Sequence, residues 1–142
     1  MGIIEKTRQL AEGSPFGAVK LARGDYDFAA DGGAVGNINL IGALGIPSGA
    51  LILAAYIEVV TPPTSGGAPT IALQLEGAGD VQAAAAISGA PWSTTGAKLS
   101  SARTRAAAPL KLTAARDIVM VIATAALTAG AFRVVVEYLE AP

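Results

Sequence analysis

The chain has 142 residues, 15% of them charged, a formal charge of −1, and neither cysteine nor histidine. That length is enough to close one core, and so small a charge supplies no global field toward nucleic acid or acidic lipid. The missing residue types exclude disulfides, thiolate and imidazole metal sites, cysteine nucleophiles and Ser-His-Asp triads.

Taken in chain order, Met1 to Gly13 places Ile3, Ile4, Thr7, Leu10 and Ala11 at helix-like spacing. The stretch is too short to be a stable helix alone, so it reads as an arm, residues 1–14, ahead of a body spanning 15–142. Its Glu5, Lys6, Arg8 and Glu12 break the pattern of a secretory signal. No apolar run in the chain approaches the roughly 18 residues of a membrane helix.

From Phe16 onward the texture is short strands and turns. Phe16 to Ala22 reads as a strand ended by Arg23-Gly24-Asp25, followed by a short extended piece from Tyr26 to Ala29. Val35 to Ile41 alternates, with Ile38 and Leu40 on one face and Asn37 and Asn39 on the other. Leu51 to Thr61 is a strong strand signal. Leu51, Leu53, Ala55, Ile57 and Val59 share one face, and Ile52, Tyr56, Glu58 and Val60 the other. The turn formers of Pro62 to Pro69 then predict a hairpin with a long tip. Thr70 to Glu76 returns with Ile71, Leu73 and Leu75 inward.

Asp80 to Ile87 is alanine-rich, and helix propensity competes there with its β context; a weak strand is expected. Ser88 to Pro109 reads as a long irregular loop. It carries Trp92 and a basic cluster of Lys98, Arg103 and Arg105. Short and apolar strands follow at Leu110 to Thr113 and Asp117 to Thr124. A Leu127-Thr128-Ala129-Gly130 turn, read as a hairpin loop, leads into the closing strand. There Phe132, Val134, Val136 and Tyr138 share a face opposite Arg133, Val135, Glu137 and Leu139. About eight strands with no alternating helices predict an all-β antiparallel β-sandwich or jelly roll.

Chemistry is sparse. The one acidic cluster, Asp25, Asp27 and Asp31, lacks the order of a calcium loop, and turn capping by aspartate is the simpler use. Asp31 to Asn37 is glycine-rich but lacks the spacing of a phosphate-binding turn. The few aromatic residues argue against single-stranded nucleic acid as a ligand. No catalytic, metal or cofactor residues are expected, and a histidine-dependent jelly-roll enzyme is excluded by composition.

Three segments are apolar on nearly both faces: Leu51 to Val60, Ile118 to Ala123 and Phe132 to Leu139. A sandwich strand has one inner face, so Ile52, Val60, Val119, Val121, Val135 and Leu139 need other cover. At roughly 25 cal/mol per Å², hiding about 300 Å² of apolar surface contributes about 7 kcal/mol before association costs. A homo-oligomer is expected, with Val119, Val121, Val135 and Leu139 at the subunit interface.

Two stretches carry a resemblance. Pro47, Gly49, Ala50, Leu51 and Ile52 enter a strand holding Tyr56 and Glu58, and Thr128, Ala129 and Gly130 precede Val134 to Tyr138. Over about residues 45 to 140 this pattern resembles the small structural proteins coded beside the major capsid protein in tailed bacteriophages, of the jelly-roll cement or decoration type. The resemblance implies a non-catalytic virion protein, made in the host cytoplasm and carried on the capsid surface. It implies the major capsid protein as partner and a homo-oligomer, a trimer in preference to a dimer, with no nucleic acid or membrane partner. Ile3, Ile4 and Leu10 of the arm and Trp92, Arg103 and Arg105 of the loop are the expected capsid contacts. The alternative is a carbohydrate- or receptor-binding module, such as a head-fibre tip, using Trp92, Tyr26 or Tyr56 as platforms.

Overall fold

A computed structural model describes residues 18–41, 45–104 and 106–140. The described residues form nine strands: β1 Val19–Asp27, β2 Gly36–Asn39, β3 Leu51–Thr64, β4 Thr70–Gln74, β5 Gln82–Ala86, β6 Gly96–Leu99, β7 Leu110–Lys111, β8 Val119–Ala123 and β9 Ala129–Leu139. A single helical turn, α1 Phe28–Asp31, follows β1. The first sheet has the order β1-β9-β3-β6, with β7 also on β3, and the second has the order β2-β8-β4-β5. All pairings between strands are antiparallel. Most connections change sheet; β4 to β5 is a hairpin within the second. This is the jelly-roll connectivity, and it bears out the all-β sandwich expected from the strand periods.

Side chains alternate as the sequence predicts along β2, β4 and β9. Leu40, Ile71, Leu73, Leu75, Phe132, Val134 and Val136 fill the space between the sheets. Met120 and Ile122 of β8 lie beside Leu73 and Ile71 in the second sheet and face Phe132, Val134 and Val136 of the first. β5 forms despite its alanines, because β4 supplies a ladder from Thr70↔Ala86 to Leu73↔Gln82.

Four local expectations are overturned. Arg23-Gly24-Asp25 does not end β1; the strand runs through it, paired with β9 from Val19↔Leu139 to Asp27↔Ala131. Gly24 serves close packing there, since a Cβ at this position would lie 2.8 Å from Leu40 Cβ. Pro62 to Pro69 is not a hairpin tip, because β3 and β4 lie in different sheets. The same holds for the turn before β9. Gly130 is inside β9 with φ +140°, and its Cα would carry a Cβ only 2.9 Å from Pro63 Cα. Within Ser88 to Pro109, β6 pairs with β3 from Tyr56↔Leu99 to Val59↔Gly96.

A β-bulge near the start of β3 reverses the two faces that simple alternation predicts there. Ile52 pairs with Tyr138 and Ala54 with Glu137, so Leu53 is the extra residue. The extra residue lets both Ile52 and Ala55 point inward, while Leu51 stays outside. Ile52 is therefore core, not a side chain in need of external cover. Beyond the bulge, Ser100 and Arg103 bond the same strand: Ala55 N donates to Arg103 O at 2.8 Å and Ser100 N to Ala55 O at 3.1 Å. Ser101 N donates to Gln82 Oε1 at 2.9 Å, which ties this loop to the second sheet as well.

Candidate interaction surfaces

The register of the first sheet decides which side chains share its outer face. Val19, Leu139 and Leu51 form one cross-strand row. Arg23, Val135, Tyr56 and Leu99 form another, and Asp25, Arg133, Glu58 and Ala97 a third. Large apolar side chains stand in water on this face: Leu21 is 65% exposed, Leu99 58%, Val19 52%, Val60 48% and Leu51 37%. Among the described residues, Val35 is the other large hydrophobic so exposed. The apolar excess is thus concentrated on one side of the sandwich, as interfaces require.

Charges interrupt this apolar field, with Glu137 beside Leu21, Lys111 beside Leu51, and two ion pairs farther along the strands. Arg23 Nε donates to Asp25 Oδ1 at 3.0 Å, and Arg133 lies 3.6 Å from Glu58 across β9 and β3. Both pairs are solvent-exposed, so each contributes little to folding. A concavity of about 320 Å³ opens between Arg23, Tyr56, Glu58, Ala97, Arg133 and Val135.

The outer face of the second sheet is different in kind. Its rows are Asn37, Val121 and Ala72, then Asn39, Val119 and Gln74. Val119 and Val121 are half-buried among small and amide side chains. The four residues expected at one subunit interface therefore divide. Val135 and Leu139 lie on the first outer face, Val119 and Val121 on the second, with the core between them.

The expected capsid contacts also divide. Ile3, Ile4, Leu10 and Arg105 lie outside the described residues. Trp92 is fully buried, its ring 4.8 Å from that of Phe132, so it is not on the surface where a contact would need it. Its indole N–H has no acceptor among the described residues. Arg103 is half-buried and folds back onto its own loop, its guanidinium donating to Ala108 O at 2.9 Å. Of the three aromatic platforms considered for a sugar, Tyr26 and Trp92 are buried and Tyr56 is half-exposed.

Of the acidic cluster, Asp25 is paired with Arg23 and the other two are occupied with the backbone. Asp27 caps α1 by accepting from Ala29 N at 3.0 Å, and Asp31 accepts from Asp27 N at 2.9 Å. Tyr26, beside them, donates to Gly32 O at 2.7 Å; burial, with Asp31 and Asp27 nearby, pushes its phenol up to about 12. No group of three or more metal-ligating side chains is gathered among the described residues.

A polar clasp at one end of the sandwich gave no signal in the sequence. Glu76 accepts from Arg116 Nε at 2.9 Å, from Thr113 Oγ1 at 2.5 Å and from Thr113 N at 3.1 Å. The Arg116 and Thr113 hydrogen bonds hold the Glu76 carboxyl down at about 2. Thr113 and Arg116 lie 37 and 40 positions beyond Glu76, so only the fold brings them to it.

No protein-family model matches the chain, and no curated protein matches it. Solved structures do. A chain of the acidic stable capsid structure of Helicobacter pylori bacteriophage KHP30 aligns with TM-score 0.59 at 18% identity, over 87% of this chain and 88% of that one. A chain of the cyanophage Pam1 capsid asymmetric unit aligns with TM-score 0.60 at 20% identity, over 87% and 85%. A chain of the Ralstonia phage GP4 capsid aligns with TM-score 0.61 at 18% identity, over 89% and 86%. At this identity the likeness is one of fold: across most of its length the chain has the jelly roll found in three bacteriophage capsid structures.

Proposed function

We propose that the chain is a non-catalytic structural protein of a phage virion, which binds the outside of the assembled capsid and cements neighbouring capsomers. The fold shared with chains of three capsid structures, nearly end to end, carries this reading. The exposed apolar face of the first sheet supports it, since such a surface is best explained by an assembled state. The partner is the major capsid protein, bound by copies that form a homo-oligomer. The proposal divides the chain into an arm, residues 1–14, and a body, 15–142. Ile3, Ile4 and Leu10 of the arm, with Arg103 and Arg105 of the loop, make the shell contacts, and Trp92 holds that loop from beneath.

The mechanism is mechanical. Each copy gains its contacts only where capsomers already lie side by side, so binding favours the assembled lattice by mass action. Co-sedimentation with assembled shells and with unassembled capsid subunits tests this. The full chain is expected to pellet with shells and to ignore free subunits. A version lacking residues 1–13 is expected to keep its own oligomeric state and lose the shells. Equal binding to free subunits contradicts the mechanism, and undiminished shell binding by the truncated chain contradicts the arm's role.

A further inference from the structure

We propose that one end of the first sheet's outer face is a carbohydrate-binding groove, whose ligand is an uncharged oligosaccharide stacked on Tyr56 and held by Arg133, Glu58, Arg23 and Asp25. The inference concerns the chain by itself and stands whether or not it binds a capsid.

The face changes character along its strands. At one end Val19, Leu139 and Leu51 make an apolar row, and exposed Leu21 stands in the next. In the rows that follow, the register sets Arg23 and Tyr56 on either side of Val135, then Asp25 and Glu58 on either side of Arg133. Two concavities adjoin there. One, of about 320 Å³, has Tyr56, Val135 and Ala97 in its lining; the other, of about 300 Å³, has Val60, Ala131 and Asp27. Arg23 and Arg133 line both, so the two guanidiniums stand where one ligand spanning both hollows meets them. Two adjoining hollows suit a short chain of sugar units better than a single one.

A sugar ring presents a face of C–H groups and an edge of hydroxyls. Tyr56 is half-exposed and has an aliphatic neighbour on each side, Val135 and Leu99, which together make a platform for the C–H face. The charged groups match the hydroxyl edge. Arg23 donates from Nε to Asp25 at 3.0 Å, and Arg133 approaches Glu58 only to 3.6 Å. All four side chains are about half-exposed, so guanidinium donors and carboxylate lone pairs remain for a ligand. A hydroxyl both donates and accepts, so it bridges a carboxylate and a guanidinium at once.

Charge decides the class of ligand. These two bases and two acids balance, and Asp27 beside them is spent on capping α1. An anion must compete with Asp25 and Glu58 for the arginines, and a cation with the arginines for the acids. An uncharged polyhydroxyl ligand bonds to both without breaking either pair. The apolar row at the other end of the face lies outside this groove.

Binding of the full chain to an array of neutral and acidic oligosaccharides, followed by calorimetric titration with the best-bound neutral one, tests the proposal. The unmodified chain is expected to bind neutral oligosaccharides in preference to acidic ones. Tyr56→Ala and Arg133→Ala, each verified as folded by circular dichroism, are each expected to weaken binding about tenfold or more. Tyr56→Phe keeps the platform and is expected to retain most of the affinity. Leu21→Ser, outside the groove, is expected to leave it unchanged. No neutral oligosaccharide bound by the unmodified chain, a preference for acidic ones, or an affinity indifferent to both alanine variants overturns the proposal.

Discussion

The Trp92 and Phe132 rings have centroids 4.8 Å apart and planes inclined at 49°, and the Tyr26 ring lies 5.2 Å from the same Phe132 ring. One loop and two strands of the first sheet meet in these three rings. Phe132→Ala is therefore expected to cost about 3–5 kcal/mol. Because Trp92 is the sole tryptophan and fully buried, its emission reports the unfolding directly. A denaturation midpoint unchanged in the variant contradicts the role assigned to this cluster.

Gly24 offers a sharper packing test. Its neighbour is Leu40 Cβ, a side-chain root that cannot swing away. Gly24→Ala should destabilise by about 1–3 kcal/mol as β1 and the segment after β2 are forced apart. The thermal midpoint checks it. A gain in stability, as expected for an alanine in an open strand position, points instead to a loose fit at this crossing.

Asp80 organises the β4–β5 hairpin by accepting three backbone N–H groups, from Leu75 at 2.7 Å, Glu76 at 2.8 Å and Gly77 at 2.7 Å. Asp80→Ala leaves those donors without their acceptor and should cost about 1.5–3 kcal/mol. Amide hydrogen exchange at residues 75–77 is expected to accelerate. Exchange as slow as in the unmodified chain is the result that rejects this role.

The Glu76 clasp predicts a pH dependence with a definite sign. Its carboxyl sits at about 2 in the folded chain against an ordinary value of 4.5. A lowered carboxyl stabilises the fold fully above the unfolded value, and the contribution disappears as pH falls through the folded one. The stability difference between the unmodified chain and Glu76→Gln should be constant above about 4.5 and shrink from there toward 2. A difference independent of pH over that window contradicts the ion pair with Arg116.

Much of this was legible in the sequence where period and environment agreed. The closing strand shows why: Phe132, Val134 and Val136 alternate with Arg133 and Val135 without interruption, and the structure keeps that order. Legibility failed where one residue broke the period. The extra Leu53 reversed the faces at the start of β3, a displacement that composition does not signal. Arg23-Gly24-Asp25 has the residue types of a turn, yet β9 supplies a partner for each of the three and overrides local preference. The surface was half visible. Alternation marks Val135 and Leu139 as outward, while Leu99 lies in a stretch whose turn formers mask β6, and Trp92 reads as a loop aromatic although it is fully buried. Glu76, Thr113 and Arg116 could not have been joined by spacing, since tertiary folding alone makes them neighbours.

The most direct test of the proposed virion role is a cryo-electron microscopic reconstruction of phage particles assembled from a genome that encodes this chain. The role predicts nine-stranded jelly rolls on the outer surface of the shell, each touching more than one capsomer. A shell whose outer surface lacks this density, from particles in which the chain is undetectable by mass spectrometry, contradicts it.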